Sequence, residues 1–244
     1  MLKMGIADLS QQFEQTIEAY QLSLKASGDD VSQQQLKLVD ALRQNIQIML
    51  RLQSDRDSGR SQSLKPQEVT EIGDYALNLL EQLSIACAAR GLQEEMLALH
   101  RLSMPVVVWL AEHGGQLDKL DIVVNAIASY ANTLQEPQQL EALCAFVDSV
   151  VSITALQIRQ DLEATDPVRP WRVLNINWGI VATRSHNTEL MEKVFEQLIN
   201  NIPADSPQFF REGMQQMEIV DYPQNVRQVM QSFAERTAAQ GAVH

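Results

Sequence analysis

The sequence has little positive charge, little glycine or proline, and few cysteines. Among its 244 residues, 19 Lys and Arg stand against 31 Asp and Glu, which gives a formal net charge of −12 with neutral histidines. A phosphate-binding surface needs clustered cations, so this balance argues against nucleic acid or an anionic membrane as the main partner. Only ten glycines and eight prolines, together with abundant Leu, Ala, Gln and Glu, favour helices.

The scarcity of cysteine and of long apolar runs argues against a disulfide-rich or a membrane-spanning protein. Cys87 and Cys144 lie inside apolar helical patterns and form no CxxC pair, which predicts buried free thiols rather than a disulfide framework. The longest apolar runs, such as residues 104–111, are too short to cross a bilayer. Residues 1–10 contain no continuous apolar segment, so we predict no secretory signal and expect a reducing cytoplasm as the location.

Motifs typical of enzymes and metal sites are absent from the sequence. The four histidines, His100, His113, His186 and His244, form no HxxxH, HExxH or ExxH pattern. Neither cysteine has the setting of a reactive thiolate. No GxSxG, Walker or GxGxxG string occurs. We therefore predict a protein that is not an enzyme and uses no metal or cofactor.

Apolar periodicity predicts two helices at the start of the chain. Apolar residues recur at spacings of three and four from Ile6 to Leu24, and a second helix is predicted from about residue 31 to 52. A short connection would make them an antiparallel hairpin over residues 1–52, whose apolar stripe also allows a homodimer. Residues 53–65 lack apolar periodicity and are predicted to be a flexible linker.

The rest of the chain is predicted to be helical as well. From Pro66 onward the pattern gives eight helices that pair as four hairpins over residues 66–239, followed by a frayed tail at 240–244. The predicted fold class is therefore all-α. Residues 150–158 are rich in β-branched side chains, but the helical pattern continues through them without turn residues, and we predict helix.

Prolines predict where these helices break. Pro105 lies inside an apolar helical segment, so a kink or break is expected near Ser103. The sequence DPVRP at residues 166–170 predicts a clear interruption before the next helix. Three apolar runs centred on Asn78, Asn125 and Asn175 mark successive first helices of hairpins, at repeat distances near those of α-solenoids.

One hairpin carries a family resemblance. Trp171, Leu174 and Trp178 have the spacing of the first-helix Trp, Leu and Tyr positions of the tetratricopeptide repeat. Phe195 lies where the second helix of that repeat has an aromatic residue, and Pro203 is near its closing proline. Through these residues the chain resembles the tetratricopeptide-like superfamily. The resemblance implies antiparallel hairpins stacked as a right-handed α-solenoid that binds a protein or peptide partner.

The chain departs from that repeat in two places. Asn175 stands where the repeat has a small residue at the close approach of its two helices, and the second-helix alanine is missing. The earlier hairpins match the helix-turn-helix plan but not the motif. The resemblance therefore extends over one repeat in residues and over residues 66–239 in architecture.

The three asparagines have two interpretations. Each is unremarkable on the polar edge of an amphipathic helix. Alternatively, they lie on the inner helices of a curved stack, where an amide offers a donor and an acceptor to a peptide backbone. On that hypothesis the partner-binding residues are Arg172, Asn175, Thr183, Asn125, Ser129 and Asn78. The stripe that contains Arg172 is favoured because its helix has almost no other polar residue.

A second hypothesis is a helical sensor domain that binds an apolar small molecule. The residues that would line its cavity are Trp171, Trp178, Phe209, Phe210 and Met214. Such residues are more often part of a hydrophobic core.

Overall fold

A computed structural model describes residues 5–26, 32–60, 64–162 and 165–241, and it confirms the all-α prediction for them. Within these ranges the β-type pairing is one isolated parallel bridge between Leu117 and Thr154. The helices are α1 Ile6–Ala26, α2 Gln33–Asp57, α3 Pro66–Ala88, α4 Gln93–Arg101, α5 Ser103–His113, α6 Asp121–Thr133, α7 Pro137–Ile153, α8 Leu156–Arg159, α9 Pro170–Ser185, α10 Thr188–Asn201, α11 Ser206–Ile219 and α12 Gln224–Gly241.

Local sequence signals determine several helix ends. Ser32 and Gln35 form a capping box at the start of α2. Pro66 occupies the first turn of α3, where its missing N–H is not needed. Asn187 accepts a hydrogen bond from a backbone N–H of the first turn of α10, as predicted. Gly114 ends α5 with a left-handed φ of 75°, a conformation that glycine adopts without strain.

The predicted breaks near Ser103 and at residues 166–170 are confirmed. The chain is interrupted at Leu102, so that Pro105 falls in the first turn of α5 rather than in a helix interior. From Pro66 onward the described residues form ten helices instead of the predicted eight. The difference arises because residues 92–113 divide into α4 and α5, and because α8 is an additional single turn.

Two predicted boundaries are wrong. The second helix continues to Asp57 instead of ending at residue 52, and Gln53 donates a hydrogen bond to Asp57 at 3.0 Å across this last turn. The helix predicted through residues 150–158 ends at Ile153. Beyond this point the backbone pairs with Leu117 instead of continuing the helix. The Leu117 N–H donates to the Ile153 carbonyl at 2.8 Å, and the Leu117 carbonyl accepts from the Ala155 N–H at 3.0 Å.

Other predicted boundaries fall partly outside the described ranges. Of the predicted linker at 53–65, residues 61–63 are not described. The predicted frayed tail begins at 240, whereas α12 continues to Gly241 and residues 242–244 are not described.

Contacts along the chain define two compact units. Unit 1 comprises residues 1–129 and 149–155, and unit 2 comprises residues 130–148 and 156–244. This division differs from the predicted one, because the N-terminal hairpin belongs to the same unit as α3, α4 and α5.

The core of unit 1 forms around α1 and α3. Each packs against α2, α4 and α5, and the apolar face of α1 from Ile6 to Leu24 is buried in these contacts. Among the described residues of the hairpin, three large apolar side chains remain exposed, namely Leu22, Leu36 and Ile48. The α1 stripe from which a homodimer was predicted is covered within the chain.

The core of unit 2 is aromatic. Helix α9 packs on α10, α11 packs on α12, and α10 also contacts α12. Phe195 of α10 meets the rings of Phe209, Phe210 and Phe233 edge to face, with centroids 5.0 to 5.8 Å apart. A Cβ at Gly179 would lie 2.5 Å from Phe209 Cζ, so this glycine allows α9 to approach α11 closely.

Candidate functional site

The predicted polar stripe on α9 is largely internal. Asn175 has no exposed surface: its amide nitrogen donates to the Trp171 carbonyl, and its amide oxygen accepts from Asn201 Nδ2, both at 2.8 Å. Thr183 is also buried and donates to the Gly179 carbonyl at 2.8 Å. Asn175 is therefore enclosed within the unit, and Thr183 offers almost no surface to a partner. Asn175 instead joins α9 to α10 through its hydrogen bond with Asn201.

Arg172 is partly exposed, but its guanidinium is held within the unit. Its Nε donates to Asp205 at 2.7 Å and its Nη1 donates to the Pro167 carbonyl at 2.9 Å. Asp205 also accepts from Arg169, a buried guanidinium that binds both oxygens of Asp161. Two arginines and two aspartates thus form a neutral cluster that fixes the start of α9.

Hydrogen bonding in this cluster favours the ionised forms of Asp205 and Arg169. Burial alone would raise the pKa of Asp205, but hydrogen bonds from Arg172 and Arg169 outweigh it and lower that pKa. The hydrogen bond to Asp161 is the main cause that raises the pKa of Arg169. Because these charges are mutually satisfied, the cluster serves structure rather than recognition of a charged ligand.

The other predicted partner-binding residues belong to unit 1. Asn78 on α3 is half-buried, donates to the Asp74 carbonyl and accepts from Lys119 Nζ. Asn125 on α6 is exposed. Ser129, also on α6, is half-buried and lies 3.4 Å from Arg101 Nη2. Of the six predicted residues, Arg172 and Thr183 are the pair that lines a common cavity.

That cavity lies in unit 2 between α9 and α11 and has a volume of about 310 Å³. We call it the α9–α11 groove. Its α9 wall consists of residues spaced along one helical face, namely Arg172, Ile176, Ile180 and Thr183. Its α11 wall has the same periodicity, with Phe209, Glu212, Gly213, Gln216, Met217 and Val220. Tyr222 and Met230 complete the lining.

The groove has a buried apolar floor and an exposed apolar rim. Phe209, Met217 and Met230 are at most 8% exposed, whereas Ile180 is 41% and Val220 is 48% exposed. Ile219, the neighbour of Val220, is 80% exposed. A large apolar surface that reaches the solvent in this way marks sites of protein or ligand binding.

Three polar side chains of the groove, those of Arg172, Thr183 and Glu212, are bonded within the chain. Glu212 accepts a hydrogen bond from Gln208 at 2.7 Å, and the bonds of Arg172 and Thr183 are those given above. Gly213 has no side chain, and a Cβ there would lie 2.8 Å from the sulfur and Cε of Met230. The flexible methionine therefore fills the space beside this glycine, and such a side chain can adapt to an occupant.

Some residues of this site were predicted from the sequence. Arg172 and Thr183 were predicted for a peptide partner and Phe209 for an apolar ligand, and all three line the groove. Ile180 and Val220 were missed as rim residues. Their exposure depends on how far α9 and α11 stand apart, which periodicity along a single helix does not reveal. Trp178, predicted as a lining residue, is buried beside a smaller cavity with Cys144.

Across the ranges that the structure describes, no group of three or more His, Cys, Asp or Glu side chains could hold a metal ion. Cys87 and Cys144 are buried free thiols, as predicted, and burial raises the pKa of each to about 12. None of the helices described combines the length and the apolar character needed to cross a membrane.

Comparisons with family models, with curated proteins and with solved structures find no match to this chain.

Proposed function

We propose that the protein is a non-enzymatic interaction module and that the α9–α11 groove binds a segment of a partner protein. The observation that carries this proposal is the continuity of the buried floor with the exposed rim at Ile180 and Val220. An apolar anchor of a partner would cover both, and burial of apolar surface is the main source of affinity at such sites.

The chemistry of the lining favours binding over catalysis. Floor and rim are mainly aliphatic, aromatic and thioether side chains. The polar groups Arg172, Thr183 and Glu212 are engaged in hydrogen bonds within the chain. These groups fix the walls of the groove, and apart from Gln216 and Tyr222 the lining that remains is apolar.

The proposal extends to the fold and the location. We propose that the helical hairpins stack as a tetratricopeptide-like α-solenoid, supported by the pairing of α9 with α10 and of α11 with α12. In this proposal Asn78, Asn125 and Ser129 remain candidates for a second contact with the partner. Buried free thiols are consistent with a reducing cytoplasm as the place of action.

A small apolar molecule is the second candidate occupant. The volume of about 310 Å³ is at the lower end of the range for ligand pockets, and Met217 and Met230 offer an adaptable floor. Native mass spectrometry of freshly purified protein tests this candidate. A bound small molecule should appear as added mass that Val168→Glu keeps and Ile180→Glu loses. A spectrum of protein alone would count against a small-molecule occupant.

Site-specific photo-cross-linking tests the main proposal. We would place p-benzoylphenylalanine at Val220 in the full chain and irradiate it in extracts of the source cells. The matched control position is Val168, a valine of the same unit that is 74% exposed and does not line the groove.

The proposal predicts a protein adduct from position 220 that is absent from position 168. A second substitution, Ile180→Glu, should abolish the adduct because it places a charge on the apolar rim. Equal adducts from both positions, or none from position 220, would refute the proposal.

A further inference from the structure

The shape of the α9–α11 groove indicates what kind of segment fits it. Its α9 wall extends from Arg172 to Thr183, eleven positions along one helical face, and its α11 wall extends from Phe209 to Met217, eight positions. At 1.5 Å per residue these walls are about 16 Å and about 12 Å long, or three and two helical turns. Val220 lines the groove just beyond the end of α11, in extended backbone. Two walls of this length match an amphipathic helix whose anchors recur at i, i+3 or i+4, and i+7.

The charged residues of the groove indicate which sign of charge a bound helix would carry. Arg172 lines the groove, but Asp205 neutralises it at 2.7 Å. Glu212 lines the opposite wall, is exposed, and has as its described partner the uncharged amide of Gln208. Glu212 is therefore the charged side chain of the lining whose charge is not balanced by an opposite charge, and it is an acid.

The end of the groove beside Val220 carries balanced charge. Asp221 is fully exposed, and it pairs with Arg227 at 3.9 Å. Arg227 also donates to the Tyr222 carbonyl at 3.1 Å and to the Val220 carbonyl at 3.4 Å, where its charge offsets the partial negative charge at the carbonyl end of α11. The sign of the occupant therefore follows from Glu212 on the lining. Arg211, the neighbouring cation on α11, is exposed and does not line the groove.

We propose that the occupant of the α9–α11 groove is a basic amphipathic helix of a partner protein. This inference rests on the proposed function and adds the chemistry of the partner. Large apolar residues on one face fill the floor over Phe209, Met217 and Met230. Lysine or arginine flanks that face and lies beside Glu212. The net charge of −12 would also accelerate encounter with such a segment.

A peptide library tests the inference. Three-turn helical peptides with fixed Leu or Phe anchors at i, i+4 and i+7, and with flanking positions randomised among Lys, Glu and Gln, are displayed on phage and selected on the full chain. Clones that also bind the Val220→Glu variant equally well are discarded, so the survivors depend on the groove. Val168→Glu serves as the matched variant that should retain binding.

Selection should enrich lysine at the flanking positions. In fluorescence anisotropy, the selected peptide should lose about threefold in affinity on Glu212→Gln, which is the effect of one exposed ion pair. Its affinity should also fall with added salt, and less steeply for Glu212→Gln than for the unaltered chain. Glu218→Gln, an exposed acid of the same helix away from the lining, should leave the affinity unchanged.

The possible results separate the inference from the function on which it rests. Enrichment of glutamate or glutamine would overturn the basic helix and leave the groove as a binding site. Failure to enrich any groove-dependent peptide would also overturn it, while the cross-links from position 220 would still decide the proposed function. Basic peptides found only among the clones discarded for binding Val220→Glu equally well would show attraction to the acidic surface alone and would overturn the inference.

Discussion

The amide of Asn175 should stabilise unit 2 rather than contact a partner, and replacing it by Ala measures this directly. The substitution removes its hydrogen bonds to the Trp171 carbonyl and to Asn201 Nδ2 at a site with no exposed surface. Loss of a buried partner costs roughly 1–3 kcal/mol. Because Asn201 is half-buried and can regain some hydration, we expect a loss of about 2 kcal/mol in the free energy of unfolding.

The same helix provides a matched control. Asn177 makes the same type of bond to the carbonyl four residues earlier, at 2.9 Å from Val173, but the structure shows it bonded to no second helix. Asn177→Ala should therefore change the free energy of unfolding by less than about 1 kcal/mol. The comparison separates the bridge to α10 from the local helix bond.

Urea unfolding followed by tryptophan fluorescence is the assay. A Trp109→Phe background leaves Trp171 and Trp178, both in unit 2, as the reporters. A double-mutant cycle with Asn201→Ala should give a coupling energy of about 1 kcal/mol, because the two amides bond directly. Equal and small losses for Asn175→Ala and Asn177→Ala, with no coupling, would refute the structural role of the bridge.

Three further outcomes follow from buried groups. Cys87 and Cys144, with pKa values of about 12, should react with a thiol reagent at pH 8 only after unfolding. Burial and Asp118 raise the pKa of Asp74 to about 6, above its unfolded value, so its charge destabilises the fold at neutral pH. Asp74→Asn should thus stabilise at pH 7.5 by up to about 1 kcal/mol, allowing for solvent screening, and have little effect near pH 4 in thermal melts. Arg169→Ala should lower the free energy of unfolding by about 2 kcal/mol in urea titrations, because it removes the charged hydrogen bonds to Asp161, while Asp205 keeps its pairing with Arg172. The lowered pKa of Asp205 means that this cluster stabilises the fold above about pH 4, and that the contribution is lost as the pH falls further.

Helix positions were largely predictable because their signals are local. Pro66, Pro105 and Asn187 act through backbone geometry or a nearby N–H, and the structure places them at the starts of α3, α5 and α10. The end of α7 was not predictable in this way. It depends on the pairing of Ile153 and Ala155 with Leu117, which is distant in sequence.

The candidate site was harder to predict because it depends on the spacing of helices. The pattern around Asn175 places it on a polar stripe, but the pattern does not show that Asn201, 26 residues later, covers that stripe. Ile180 reads as a core position, yet it is 41% exposed because the groove opens beside it. The pattern of polar and apolar residues along one helix does not reveal whether a neighbouring helix covers a given side chain.

Methyl NMR of the methionines tests the central claim most directly. In the full chain labelled at the methionine methyl carbons, Met217 and Met230 report on the floor of the groove, while Met49 and Met104 are buried in unit 1 as internal controls. Adding the partner segment captured by the cross-link at position 220 should shift the Met217 and Met230 signals and leave the two controls in place. Unchanged Met217 and Met230 signals at saturating partner would contradict binding in the α9–α11 groove.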